Sequence, residues 1–173
     1  MVFMFRRLSS KNLKSIALDS EKSHIYLKDT DFSLVILRPY DLVQLGDLVG
    51  SGSEDILIWA GKTIGKALCK NIQDNKKINS KKQLFQELLV NLTHLGYGRF
   101  EMTYLEKSSV KISVFNSIVQ EIDNPQEVNL ISNLYNGIFM GSLSFAGAEV
   151  ITKSVINSIE KNSVCTYEYG FLK

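Results

Sequence analysis

Apolar and polar positions change rhythm several times along this chain, and each change marks an element. From Ser15 the pattern is strand-like, with Ile25 and Leu27 alternating against His24, Tyr26 and Lys28. Asp29-Thr30-Asp31 reads as a turn and Phe32 to Leu37 as a short apolar strand, which together make a hairpin. Pro39 closes it, and Tyr40-Asp41 opens a short helix through Leu48. After the Gly50-Ser51-Gly52-Ser53 joint, Leu57, Ala60, Gly61, Ile64, Ala67, Leu68 and Ile72 recur at helical intervals as one apolar face. Ser53 suits the N-cap of that helix, and Glu54 and Asp55 suit the positive end of its dipole.

A polar loop over Asp74 to Asn79 follows. Ser80 and Gln83 then have the spacing of a capping box. The helix they open turns Leu84, Phe85, Leu88, Leu89, Leu92 and Leu95 inward, and Gly96 is its stop signal. The period next falls to two. Phe100, Met102 and Tyr104 alternate with polar residues, and Val110, Ile112 and Val114 do so again after Lys107-Ser108-Ser109, as in an antiparallel hairpin with one buried face. Asn124-Pro125 follows the rules for a helix start. Beyond Gly147, the spacing of Ile151, Val155 and Ile159 allows a helix, whereas the β-branched runs favour a strand. We expect the strand, because Gly147 breaks the preceding helix and Cys165, Tyr167, Tyr169 and Phe171 alternate as its partner, with Glu160 to Asn162 as the turn.

The longest stretch without a formal charge runs from Asn129 to Gly147. It contains Gly137 and Gly141 four apart, and Gly61 and Gly65 repeat that spacing. Glycine costs roughly 1 kcal/mol against alanine inside a helix, so such pairs need a reason. Either two helix backbones meet there, or the missing side chains leave a hole. The Asn, Ser and Gly content of the stretch argues against a membrane span and for a buried helix.

Composition adds bounds. With 173 residues, 45% hydrophobic and 22% charged, the chain fits one globular domain with a real core. A net charge of +2 gives no electrostatic case for nucleic acid. Cys69 and Cys165 make no disulfide framework, and the expectation is a soluble cytoplasmic protein.

Candidate chemistry is sparse. Gly61-Lys62-Thr63 resembles the end of a phosphate-binding loop, but Ile56 stands where that loop needs glycine. The Gly50/Gly52 joint has Asp55 where a dinucleotide fingerprint needs its third glycine. His24 and His94 have no metal-ligand partner at local spacing, so no metal site, no cofactor and no enzymatic activity are expected. The large residues Trp59, Phe85, Tyr135, Phe139, Met140 and Phe145 either fill a core or line an apolar pocket. In the second case Leu88, Leu92 and the notches at Gly61, Gly65, Gly137 and Gly141 complete its wall.

The order hairpin, helices, hairpin, helix, hairpin resembles the 4-vinyl reductase (4VR) domain family. Its wider superfamily holds haem-dependent nitric-oxide sensors and the Bet-type subunits of the TRAPP trafficking complex. The resemblance spans about residues 32 to 172. It rests on Trp59-Ala-Gly61-Lys-Thr-Ile-Gly65, Gly96-Tyr-Gly98, Asn136-Gly137-Ile-Phe-Met-Gly141 and Cys165-Thr-Tyr-Glu-Tyr-Gly-Phe171. It implies an α/β (α+β) domain, residues 15–173, with an antiparallel sheet of hairpins packed on about four helices, preceded by an arm over residues 1–14. It further implies a module that binds a hydrophobic small molecule as a homodimer, with no further domain attached. The alternative is an adaptor of the TRAPP-subunit type whose helical face meets a protein partner. Many family members bind a metal through the last cysteine and one just upstream. Cys165 matches the last position, but Asn157 and Ser158 occupy the upstream region, so the metal is not carried over.

Overall fold

A computed structural model describes residues 16–21, 24–28, 33–35, 37–106, 108–158 and 164–172. The arm over 1–14 and the turns expected at 29–31 and 160–162 lie outside the described residues.

The chain divides into two compact units, Met1–Ile36 and Leu37–Lys173. In the first, β1 (Ile16–Asp19), β2 (His24–Leu27) and β3 (Ser33–Leu34) form a three-stranded antiparallel sheet in that order. The expected hairpin is its β2–β3 part, in which Ile25 pairs with Leu34.

The second unit holds four helices and a four-stranded antiparallel sheet. Helix α1 (Pro39–Val49) begins with proline at its first turn, and Arg38 before it is bonded to Asp41, with Arg38 N donating to Asp41 Oδ2 at 2.8 Å. Helix α2 (Ser53–Lys76) starts at Ser53 itself, so the N-cap is Gly52. The reason is backbone shape: φ at Gly52 is +102°, a turn that serine would enter only with strain.

Helix α3 (Lys81–His94) is capped by Ser80, whose Oγ accepts from Gln83 N. Its end is a Schellman motif, in which Gly96 at φ +89° donates to Thr93 O and Tyr97 N donates to Leu92 O at 3.0 Å. Helix α4 (Pro125–Phe145) has Asn124 as N-cap, with Asn124 Oδ1 accepting from Gln126 N at 3.0 Å. A second Schellman pair, Gly147 N to Ser144 O and Ala148 N to Leu143 O, ends it.

Strands β4 (Arg99–Glu106), β5 (Ser109–Phe115), β6 (Val150–Ile156) and β7 (Val164–Phe171) lie in the order β4-β5-β7-β6. The strand assignment after Gly147 therefore holds. A short 3-10 turn at Ile118–Glu121, not expected from the sequence, links β5 to α4.

Helix α4 is the core of this unit. Its buried residues include Leu130, Ile131, Leu134, Tyr135, Ile138 and Phe139, and they point in every direction around its axis. One face lies on α2 and the opposite face lies on the sheet, while α1 packs on α4 and α3 packs on α2 and β4. That enclosure explains why the stretch carries no charge: an ion there would lose its water with no partner in reach.

Candidate functional site

The glycines settle one geometric question. Gly61 and Gly137 face each other across α2 and α4, and a Cβ built on Gly137 would lie 3.0 Å from Gly61 Cα. One built on Gly65 would meet Ser142 Oγ at 2.7 Å, and one on Gly141 would meet Lys62 Cα at 2.6 Å. Between α2 and α4 the notches are therefore filled by the facing helix. Cys69, on the same side of α2, is fully buried, and burial pushes its thiol up to about 11.

The residues grouped by sequence as one pocket separate accordingly. Gly61, Gly65, Gly137 and Gly141 form the α2–α4 contact. Trp59 sits on the opposite side of α2 and is 69% exposed. Phe85, Leu88 and Leu92 are buried along α3. Half-buried Met140 lies with Gly141, Lys62, Glu149 and Val150 along a surface cleft of about 350 Å³. Half-buried Phe145 borders a second cleft of about 290 Å³ with Ile78, Leu84 and Gly147. Only Tyr135 and Phe139 belong to the layer where chemistry gathers.

That layer lies between α4 and the sheet. The Phe139 ring meets Phe100 at 6.0 Å, Tyr167 at 5.1 Å and Tyr169 at 6.4 Å between centroids, all near edge-to-face. Tyr135 stacks on Tyr167 at 6.0 Å and meets Tyr97 edge-on at 5.8 Å. Edge-to-face and offset pairs are the arrangements that ring quadrupoles favour.

Each buried phenol has a polar partner. Tyr135 Oη donates to Tyr97 O. Tyr167 Oη lies 2.9 Å from Ser132 Oγ, which in turn donates to Asn157 Oδ1 at 2.8 Å. Tyr169 Oη donates to Asn136 Oδ1 at 2.9 Å, where Thr152 Oγ1 also donates at 3.2 Å. Ser132 and Asn136 are one turn apart, so α4 presents two polar hooks to the sheet. Among the described residues, no buried side-chain polar atom is left without a partner. Burial raises the phenols of Tyr135, Tyr167 and Tyr169 well above the ordinary tyrosine range.

Sequence reading missed Ser132 and Asn136, although a signal existed. Cys165, Tyr167 and Tyr169 alternate onto the buried face of β7, and the two tyrosine hydroxyls require acceptors on whatever covers that face. Cys165 itself is fully buried, with Sγ 3.8 Å from Ser158 O. His94 is exposed at the end of α3 and His24 on β2. Among the described residues, no three His, Cys, Asp or Glu side chains converge as a metal site would need. No helix there is long and apolar enough to cross a membrane.

No family model matches this sequence, and no curated protein does so either. Solved structures do match in shape. The phenol-responsive sensory domain of the transcription activator PoxR, solved with phenol, has a TM-score of 0.66 at 9% identity, over 93% of this chain and 87% of that one. Subunit 3 of a trafficking protein particle complex from Naegleria fowleri, covalently bound to palmitic acid, has 0.56 at 12%, over 78% and 91%. The H-NOX of T. Tengcongensis, as its I5F mutant, has 0.53 at 12%, over 82% and 78%. At such identities the likeness concerns the fold: this chain has the α+β architecture found in these sensor domains and in the trafficking subunit.

Proposed function

We propose that this protein is a binding or sensing module of the 4VR type, which takes a small hydrophobic molecule carrying one hydrogen-bonding group. The observation that carries this reading is the layer between α4 and the sheet. Rings of Tyr97, Phe100, Tyr135, Phe139, Tyr167 and Tyr169 pack against one another there, and Tyr167 and Tyr169 reach the two hooks Ser132 and Asn136. Mostly apolar walls with a few convergent polar groups are what small-molecule sites are made of. A phenol or similar guest entering this layer exchanges ring contacts and a hydroxyl bond for ones of the same kind. That the PoxR domain was solved with phenol and the trafficking subunit with palmitic acid supports the reading, because both share this fold.

Native mass spectrometry of the purified protein before and after solvent extraction tests it. The expected result is a bound hydrophobic molecule, or a melting temperature that rises with added phenol as binding to the folded state requires. A core that holds nothing and a melting temperature indifferent to phenols and fatty acids would refute the proposal.

A second reading, an adaptor that assembles with protein through its helical face, has its own observation. Trp59 and Ile56 are exposed on α2, and Leu48 and Val49 are exposed just before the Gly50–Gly52 corner. A stable complex with no extractable molecule favours it.

A further inference from the structure

The cleft of about 350 Å³ beside the end of α4 carries both signs of charge around an apolar lining. Its volume lies at the small end of the roughly 300–1,000 Å³ that small-molecule sites span. Lys62 and Lys66 enter it from α2, one turn apart, a spacing at which two cations repel unless an anion joins them. Glu149 enters from the link between α4 and β6, its main chain fixed by Leu172 N, which donates to Glu149 O at 2.8 Å. Among the described residues none of these three charges makes an ion pair, so the two signs stand apart. Met140, Ala148, Val150 and Leu172 supply the apolar lining. Met140 is tethered by Thr152 Oγ1, which donates to its Sδ at 3.6 Å, and the Lys62 main chain is held against Gly141.

We propose that this cleft binds a free α-amino acid with an apolar side chain. The carboxylate lies against Lys62 and Lys66, the ammonium against Glu149, and the side chain on Met140 and Leu172. Charge-assisted hydrogen bonds of this kind are the strong ones. A simple anion would satisfy the lysines but set a like charge near Glu149, and a simple cation would face two lysines. A hydrocarbon would strip water from three charged side chains and offer them nothing in return. A zwitterion with an apolar body matches all three parts of the lining at once. The cleft shares no lining residue with the ring layer between α4 and the sheet. It therefore stands whether or not that layer takes a ligand.

Isothermal titration calorimetry of the full chain with L-leucine and L-phenylalanine tests the site, with thermal melts to confirm that each variant is folded. Saturable binding with a Kd of about 1 mM or tighter is expected for at least one of them. For leucine, 4-methylpentanoate lacks the ammonium and isoamylamine lacks the carboxylate, and each should bind about tenfold more weakly or worse. Lys66→Met and Glu149→Gln change exposed side chains and should each raise the amino-acid Kd by about tenfold. No saturable binding of either amino acid overturns the proposal. If 4-methylpentanoate binds as tightly as leucine, the ammonium has no partner and the amino-acid assignment falls. An amino-acid affinity unchanged in both variants puts the ligand elsewhere on the protein and overturns the cleft as its site.

Discussion

Gly141 on α4 rests against the backbone of Lys62 on α2, so closely that a methyl group at position 141 would lie 2.6 Å from Lys62 Cα. Neither partner can yield cheaply, because both are main chain in long helices. Gly141→Ala should therefore destabilise the protein by about 1–3 kcal/mol, the usual cost of overpacking, despite the better helix propensity of alanine. Gly61→Ala and Gly137→Ala should behave alike, since each places a methyl group against the other's Cα. Urea melts measure this; unchanged or raised midpoints would mean that the helices stand further apart. Gly96→Ala is the contrast, because nothing lies within 4 Å of a Cβ there and its cost is only that of φ +89°.

Alkaline pH should loosen this fold before acid does. The Cys69 thiol is raised by burial from 9.0 to about 11, and the phenols of Tyr135, Tyr167 and Tyr169 are raised above 10.0. A group whose folded pKa is raised holds its proton more tightly in the folded state. Its contribution is complete below the unfolded value and is lost as pH climbs through the folded one. Stability should thus decline from about pH 9 upward for the thiol and from about pH 10 for the phenols. The 295 nm phenolate band should show these tyrosines ionising in step with the loss of helical circular dichroism. Smooth titration of every tyrosine in a chain that stays folded would contradict the burial.

Thiol chemistry reports on the same packing. Cys69 and Cys165 are both fully buried, so a thiol reagent at pH 8 should label neither in the native protein and both in denaturant. Fast labelling of Cys69 would show that α2 and α4 part readily.

Asn136 is the polar pivot of the α4–sheet layer, its Oδ1 accepting from Tyr169 Oη and Thr152 Oγ1. Asn136→Ala leaves a buried phenol without an acceptor and should cost about 1–3 kcal/mol. Tyr169→Phe removes the donor but leaves Thr152 in place, so it should cost only about 0.5–1.5 kcal/mol. Chemical melts of both variants test the ranking, and equal costs would mean that another group takes up the phenol. Should this layer admit a ligand, Asn136→Ala should also weaken binding more than Tyr169→Phe does.

Local rules were enough for most elements. Alternation at Val110, Ile112 and Val114 put three residues on one face, and all three are fully buried. Ser80, Asn124 and Pro125 opened helices where capping chemistry says they should. The β-branched run after Gly147 became β6. Failures lay where local preference met backbone shape. Ser53 is a good cap, yet Gly52 takes the position because φ there is positive. Strand β1 shows in the sequence only as a strand-like pattern from Ser15.

The candidate site was harder to read, because a large residue on a helix does not announce which neighbour it faces. The sequence by itself determined that α4 carries a charge-free stretch from Asn129 onward with glycines at one helical spacing, and that α2 carries their match. That much follows from periodicity and from the cost of glycine in a helix. Only the tertiary structure decided what the match does. Backbone meets backbone at Gly61 and Gly137, which turns Phe139 and Tyr135 toward the sheet and leaves Trp59 facing outward. The reason is that a missing side chain is equally consistent with contact and with a cavity. The distance between two helix axes, which separates those cases, depends on every residue packed around them.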